Sequence, residues 1–270
     1  MDALRRFFSY FFGAGETEEF ADFSLAHFLP ILLAAGVVCL IFRYRDRIRA
    51  WKHEKTLCLA IALVMIICEM SYFWRLVGVP SLHPNPVDHL PITVCGWGVI
   101  FGSYMMVTKS QSLFDIVYFW LFSGTIFALA SPSVIYFTGP TRFRYYQFWI
   151  EHTIGYIAIF YMIFVHKLRP TVKSAIRSYA AFAVLAAVAF FANNLLLPLE
   201  DGTKPSYLFM TKAQDSSPIL DILPSNFVLR VLLMAFVITV MYVLAYLPWL
   251  VKDMRAKKEA QSEIAEVSEE

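Results

Sequence analysis

Residues 57 to 79 read LCLAIALVMIICEMSYFWRLVGV, a run in which only Glu69 and Arg75 are charged. At 1.5 Å per residue it spans about 34 Å as a helix, enough to cross a hydrocarbon core of roughly 30 Å. Six further apolar runs of comparable length predict spans near 24–42, 89–108, 113–132, 147–167, 176–198 and 227–250. The expected fold is therefore an all-α integral membrane protein, a bundle of seven transmembrane helices over 24–251. The fourth span has the weakest end, because ALASPSVIYFTGP (128–140) is interrupted by Pro132, Gly139 and Pro140. That piece is expected to fold back as a re-entrant or interfacial segment.

The composition agrees. Of 270 residues, 59% are hydrophobic, 17% aromatic and only 16% charged, well beyond what a soluble domain tolerates. A net charge of +2 carries no signature of a nucleic-acid partner. Cys39, Cys58, Cys68 and Cys95 show no CxxC pairing, so neither a disulfide framework nor a metal site is expected, and no cofactor is implied. Residues 1–23 begin with two arginines and a short aromatic run, but acidic residues stand where a signal peptide would be cleaved. They predict an amphipathic segment lying in the interface. The charged tail, 252–270, is expected to be disordered or a fraying helix.

Basic residues set the expected orientation. RYRDRIRAWKHEK (43–55) holds six Lys or Arg, KLRPTVKSAIR (167–177) four and KDMRAKK (252–258) four, and Lys109 lies on the same side, giving fifteen. The opposite side has six: Arg5, Arg6, Arg142, Arg144, Lys204 and Lys212. The positive-inside rule then places the N-terminus outside and the C-terminus in the cytoplasm. For a bacterial chain the membrane would be the plasma membrane.

Polar side chains inside a bilayer are costly, so each asks for a reason. On this topology they gather in the outer halves of the spans: His27, Glu69, Arg75, Cys95, Glu151, His152, Asn193, Asn194 and Arg230. The inner halves are almost purely apolar, which argues against a continuous transport path. A lone cysteine in a membrane helix is usually a packing residue. Cys95 differs because His152 falls at a similar depth on the same side, and a thiol beside an imidazole can become a nucleophile. Glu69 is the candidate to orient that imidazole, since Glu151 points about 100° away from His152 round its helix. Arg75 or Arg230 is expected to partner Glu69 and to bind a phosphate, whereas Arg142 and Arg144 are expected to snorkel toward headgroups. The seven spans with an outside N-terminus also suggest a retinal protein, but the span FVLRVLLMAFVITVMYVLAYLPW (227–249) has no lysine for a Schiff base, which makes that reading weak.

DHLPITVCGWG (88–98), LASPSVIYF (129–137), YYQFWIEHTIGYIAIFY (145–161), Asn193 and PSYLFMTK (205–212) together resemble the YwaF-like family of bacterial membrane proteins. That family is related to the animal transmembrane protein 164, a cysteine-dependent acyltransferase of ether phospholipids. The resemblance places the family's cysteine on Cys95 and its histidine on His152. Thr93 stands where bacterial relatives commonly have a histidine in L-P-L-H-x-C. The function implied is a phospholipid acyltransferase or lipid hydrolase working through an acyl-enzyme. Its catalytic residues would be Cys95, His152 and Glu69, its substrate-binding residues Arg75, Arg230, Asn193 and Tyr207, and its partner a phospholipid or lysophospholipid. The alternative from the residues themselves is a non-catalytic protein that binds or carries a lipid or small ligand in the same outer pocket.

Overall fold

The computed structural model describes residues 2–13, 21–82, 84–85, 87, 89–132, 138–196, 198, 204–210 and 222–269. Among the described residues every regular element is a helix: α1 Asp2–Phe12, α2 Leu25–Ala50, α3 Glu54–Gly78, α4 Val94–Thr108, α5 Gln111–Trp120, α6 Ile126–Ala130, α7 Phe143–Phe164, α8 Val172–Leu195 and α9 Phe227–Glu269. A π-helical turn, Leu121–Thr125, joins α5 to α6 into one rod, and single 3-10 turns occupy Pro80–Leu82 and Tyr207–Phe209.

Five of these rods are long and apolar enough to cross a membrane: Leu25–Ala50, Glu54–Gly78, Gln111–Ala130, Val172–Leu195 and Phe227–Ser262. The expected 89–108 span is shorter as a helix. A tight turn at Pro91, closed by Ile92 N donating to the Leu90 carbonyl at 2.7 Å, precedes the helix, and the extended Thr93 caps it by accepting a hydrogen bond from Gly96 N at 3.0 Å. The expected 147–167 span corresponds to α7, whose Arg144, Gln147, Glu151 and His152 lower its hydropathy. Its polar face points into the protein. Phe148, Ala158, Ile159, Tyr161 and Met162 are fully buried, and α7 packs against α2, α3, α4 and α5 at the centre of the bundle.

Of the basic stretch 43–55, residues 43–50 continue α2, 51–53 connect, and Glu54 and Lys55 begin α3. Arg49 donates to Asp46 one turn earlier at 3.0 Å and to the Phe164 carbonyl at 2.9 Å, tying the end of α2 to the end of α7. Helix α8 starts at a capping box made by Thr171 and Ser174. Helix α9 runs on through the charged tail, whose Ala, Lys, Glu and Gln are good helix formers. Helix α1 leaves Leu4, Phe7 and Phe8 exposed, and the Phe12 and Gly13 carbonyls at its end accept hydrogen bonds from Arg75 at 2.7 and 3.0 Å. Of the expected re-entrant piece, 133–137 lies outside the described residues.

Candidate active site: Cys95 and His152

Because Thr93 caps α4, Cys95 becomes the second residue of that helix. The first helical N–H groups have no partner within the helix. Gly96 N is taken by Thr93, whereas the Val94 and Cys95 N–H groups have no acceptor among the described residues. The sulfur therefore lies beside two free donors and the positive end of a helix dipole. From the other side, Thr125 Oγ1 donates to Cys95 Sγ at 3.5 Å. Thr125 is the last residue of the π turn, which changes the rotation of the rod and turns this hydroxyl toward α4. The Leu121 carbonyl in that turn accepts a hydrogen bond from Tyr156 at 2.7 Å.

His152 comes from α7 and is 5% exposed. Its Nδ1 lies 2.8 Å from the Phe148 carbonyl. A carbonyl can only accept, so Nδ1 carries the proton and Nε2 keeps its lone pair. The imidazole lies within electrostatic range of Cys95 and stacks on the Phe148 ring at 4.1 Å between centroids. The thiol and the imidazole are thus neighbours, each held by a further contact, Thr125 on the sulfur and the Phe148 carbonyl on the ring.

Glu69 is 6% exposed and lies within electrostatic range of His152, Glu151 and Arg144. It does not hydrogen-bond the imidazole among the described contacts; the Phe148 carbonyl does the orienting. Glu69 can approach because Gly96 lacks a side chain: a Cβ there would stand 2.7 Å from Glu69 Oε1 and 3.0 Å from Thr93 Oγ1. The cation nearest this carboxylate pair is Arg144, not Arg75 or Arg230. Arg144 donates to Gln147 Oε1, lies 3.7 Å from Glu151 and sits 4.8 Å from the Tyr72 ring centroid. Gln147 Nε2 donates to Glu151 at 2.7 Å.

The remaining sequence-selected residues sit elsewhere. Arg75 holds the end of α1, as described above. Arg230 Nε donates to the Phe209 carbonyl at 2.6 Å. Asn193 and Tyr207 clasp each other, with Asn193 Nδ2 donating to Tyr207 O at 3.0 Å and Tyr207 N donating to Asn193 Oδ1 at 2.7 Å. The Tyr207 hydroxyl donates to Val87 O and accepts from Leu90 N at 3.1 Å, fixing the approach to α4. Sequence reading missed Thr125, Gly96 and the place of Arg144. The last had a signal: Arg144, Gln147 and Glu151 are spaced i, i+3, i+7 and share one helix face with His152's turn.

These features define a multi-helical membrane protein with a half-buried cysteine at a helix N-terminus beside a buried histidine. The chain belongs to the TMEM164 family, whose profile matches residues 22–246 and so takes in both residues of that pair. A protein of Treponema pallidum (strain Nichols), described as "Uncharacterized protein", is 25% identical over 238 residues, which cover 87% of this chain and 92% of that protein. No solved structure matches the chain.

Proposed function

We propose that this protein is a phospholipid acyltransferase that works through a thioester on Cys95, and what supports the reading is the placement of Cys95, at the N-terminus of α4, within electrostatic range of the buried His152 from α7. The Cys95 thiol gives its proton to His152 Nε2 as sulfur attacks the ester carbonyl of a phospholipid. The negative charge that develops on the carbonyl oxygen meets the Val94 and Cys95 N–H groups, which act as an oxyanion hole. Collapse expels the lysophospholipid alkoxide, which takes the proton from His152 and leaves an acyl-thioester. A second lysophospholipid hydroxyl then loses its proton to His152 and attacks the thioester, and the thiolate recovers that proton at the end. With water in place of the acceptor the same cycle is hydrolysis.

Glu69 acts through charge, stabilising the imidazolium that forms in each half-reaction, and Arg144 supplies the cation for a substrate phosphate. In this reading the five long rods cross the membrane together with the shorter α4 and with α7. The N-terminus is outside, the cysteine sits in the outer half of the bilayer, and the outer leaflet supplies substrate.

The test is purified protein in phospholipid micelles with a labelled acyl donor. Wild-type protein should form a hydroxylamine-sensitive acyl adduct and transfer it to lysophospholipid. Cys95→Ser and His152→Gln should each lower the rate by at least 1,000-fold, the order of loss seen when a nucleophile or base is removed. Full activity in Cys95→Ser would overturn the mechanism and favour a pocket that only binds lipid.

A further inference from the structure

The opposite end of α3 carries a second convergence of ionisable side chains, about 22 Å from Glu69 along the helix. Glu54 opens α3, Cys58 follows one turn later on the same face, and His166 arrives from the turn after α7. Their ligand atoms all lie within 4.8 Å of one another. Glu54 and Cys58 are buried and His166 nearly so. The placement is firmly built: Arg49 grips the Phe164 carbonyl two residues before His166, and Lys109, in the left-handed region with φ 56° at the end of α4, donates to Glu54 Oε2 at 2.7 Å.

The arrangement around Glu54 Oε1 is crowded. Cys58 Sγ approaches it at 2.9 Å, His166 Nε2 at 2.8 Å and the Tyr161 hydroxyl at 3.1 Å. A carboxylate oxygen offers about two lone pairs, so three donors exceed what it accepts well. Lys109 occupies the other oxygen. One thiol, one imidazole nitrogen and one carboxylate oxygen facing a common point are the donor types that a borderline divalent cation takes together.

We propose that Glu54, Cys58 and His166 bind one Zn²⁺, which pins α3 to the end of α7 at the face opposite the cysteine–histidine pair. Binding exchanges the Cys58 thiol proton for the metal and leaves His166 with its proton on Nδ1, both without redox change. Tetrahedral ligands at ordinary zinc distances stand roughly 3.4 Å apart, so Sγ and Nε2 need to retreat from Oε1 by only about 0.5 Å. Lys109 stays on Oε2 and holds the carboxylate in place, as outer partners of metal ligands do. The fourth position opens beside the Tyr161 hydroxyl.

The test uses the full chain purified in detergent without chelators. Metal analysis should find one Zn²⁺ per chain, and Co²⁺ added to stripped protein should produce a thiolate-to-metal charge-transfer band. Cys58→Ser keeps a hydrogen bond to Glu54 but should abolish that band, His166→Gln should weaken affinity at least tenfold, and Cys39→Ser should change neither. In wild-type protein Zn²⁺ should slow alkylation of Cys58, read peptide by peptide, which decides the matter even if a variant folds poorly. A band that survives Cys58→Ser, or equal Cys58 alkylation with and without Zn²⁺, would overturn the site and leave a hydrogen-bonded cluster.

Discussion

Gly96 is the residue whose absence of a side chain shapes the site. A methyl group there would overlap Glu69 Oε1 at 2.7 Å and crowd Thr93 Oγ1 at 3.0 Å, both on side chains that can move. Gly96→Ala should therefore fold, yet push Glu69 from His152 and disturb the cap that presents Cys95. The expected outcome is a loss of acyl-transfer kcat of roughly tenfold or more with thermal stability lowered by no more than about 2 kcal/mol, checked by kinetics and melting on the same preparation. Thr125→Val removes the hydroxyl on Cys95 Sγ at constant shape. A single hydrogen bond of about 1 kcal/mol sets the expected loss at about fivefold in rate. At this scale the sequence was readable where depth and side coincide, which is how Cys95, His152 and Glu69 could be grouped. It misled on Arg75 and Arg230, whose guanidinium groups lie at the right depth but on backbone carbonyls of other segments. Depth along a helix is a one-dimensional coordinate; the azimuth that decides who meets whom comes from packing.

The element that matters most is the π turn at Leu121–Thr125. It depends on Tyr156, whose hydroxyl satisfies the Leu121 carbonyl at 2.7 Å, and on Gly155, where a Cβ would lie 2.9 Å from Leu121 Cδ2. Tyr156→Phe leaves that carbonyl with only the Ile126 N–H as donor and should cost about 1 kcal/mol of stability. Because the same turn aims Thr125, activity should fall further than in Thr125→Val. Equal activities in the two variants would show that Tyr156 does not act through the turn. Nothing in the pattern of LFSGT signals a π turn, since one extra residue per turn leaves the apolar composition unchanged. The cap at Thr93 explains why the third span begins later than its apolar run.

At the scale of the whole molecule, hydropathy made the membrane class and the positions of the long rods legible, from Leu25–Ala50 to the apolar part of α9. It also placed a span at 147–167, which is α7, although the inward-turned Gln147, Glu151 and His152 make this helix less apolar than the five long rods. The proposed topology makes its own prediction. A fluorescent protein fused after Glu270 should fold and fluoresce in the cytoplasm, and alkaline phosphatase at the same place should be inactive. The reverse pattern would invert the bundle and put Cys95 on the cytoplasmic leaflet.

The central position of α7 also bears on how the chain is made. A helix carrying Arg144, Gln147, Glu151 and His152 partitions poorly into lipid by itself, each charged group near mid-bilayer costing about 3 kcal/mol on insertion scales. Its neighbours α2, α3 and α4 precede it in the chain and offer Tyr72, Glu69 and the α4 N-terminus as polar company. Insertion of α7 is therefore expected to depend on those helices, and a chain lacking α2 to α4 should insert α7 less efficiently. The residues proposed to perform the chemistry would thus also be the ones that make entry of this helix into the bilayer a cooperative event.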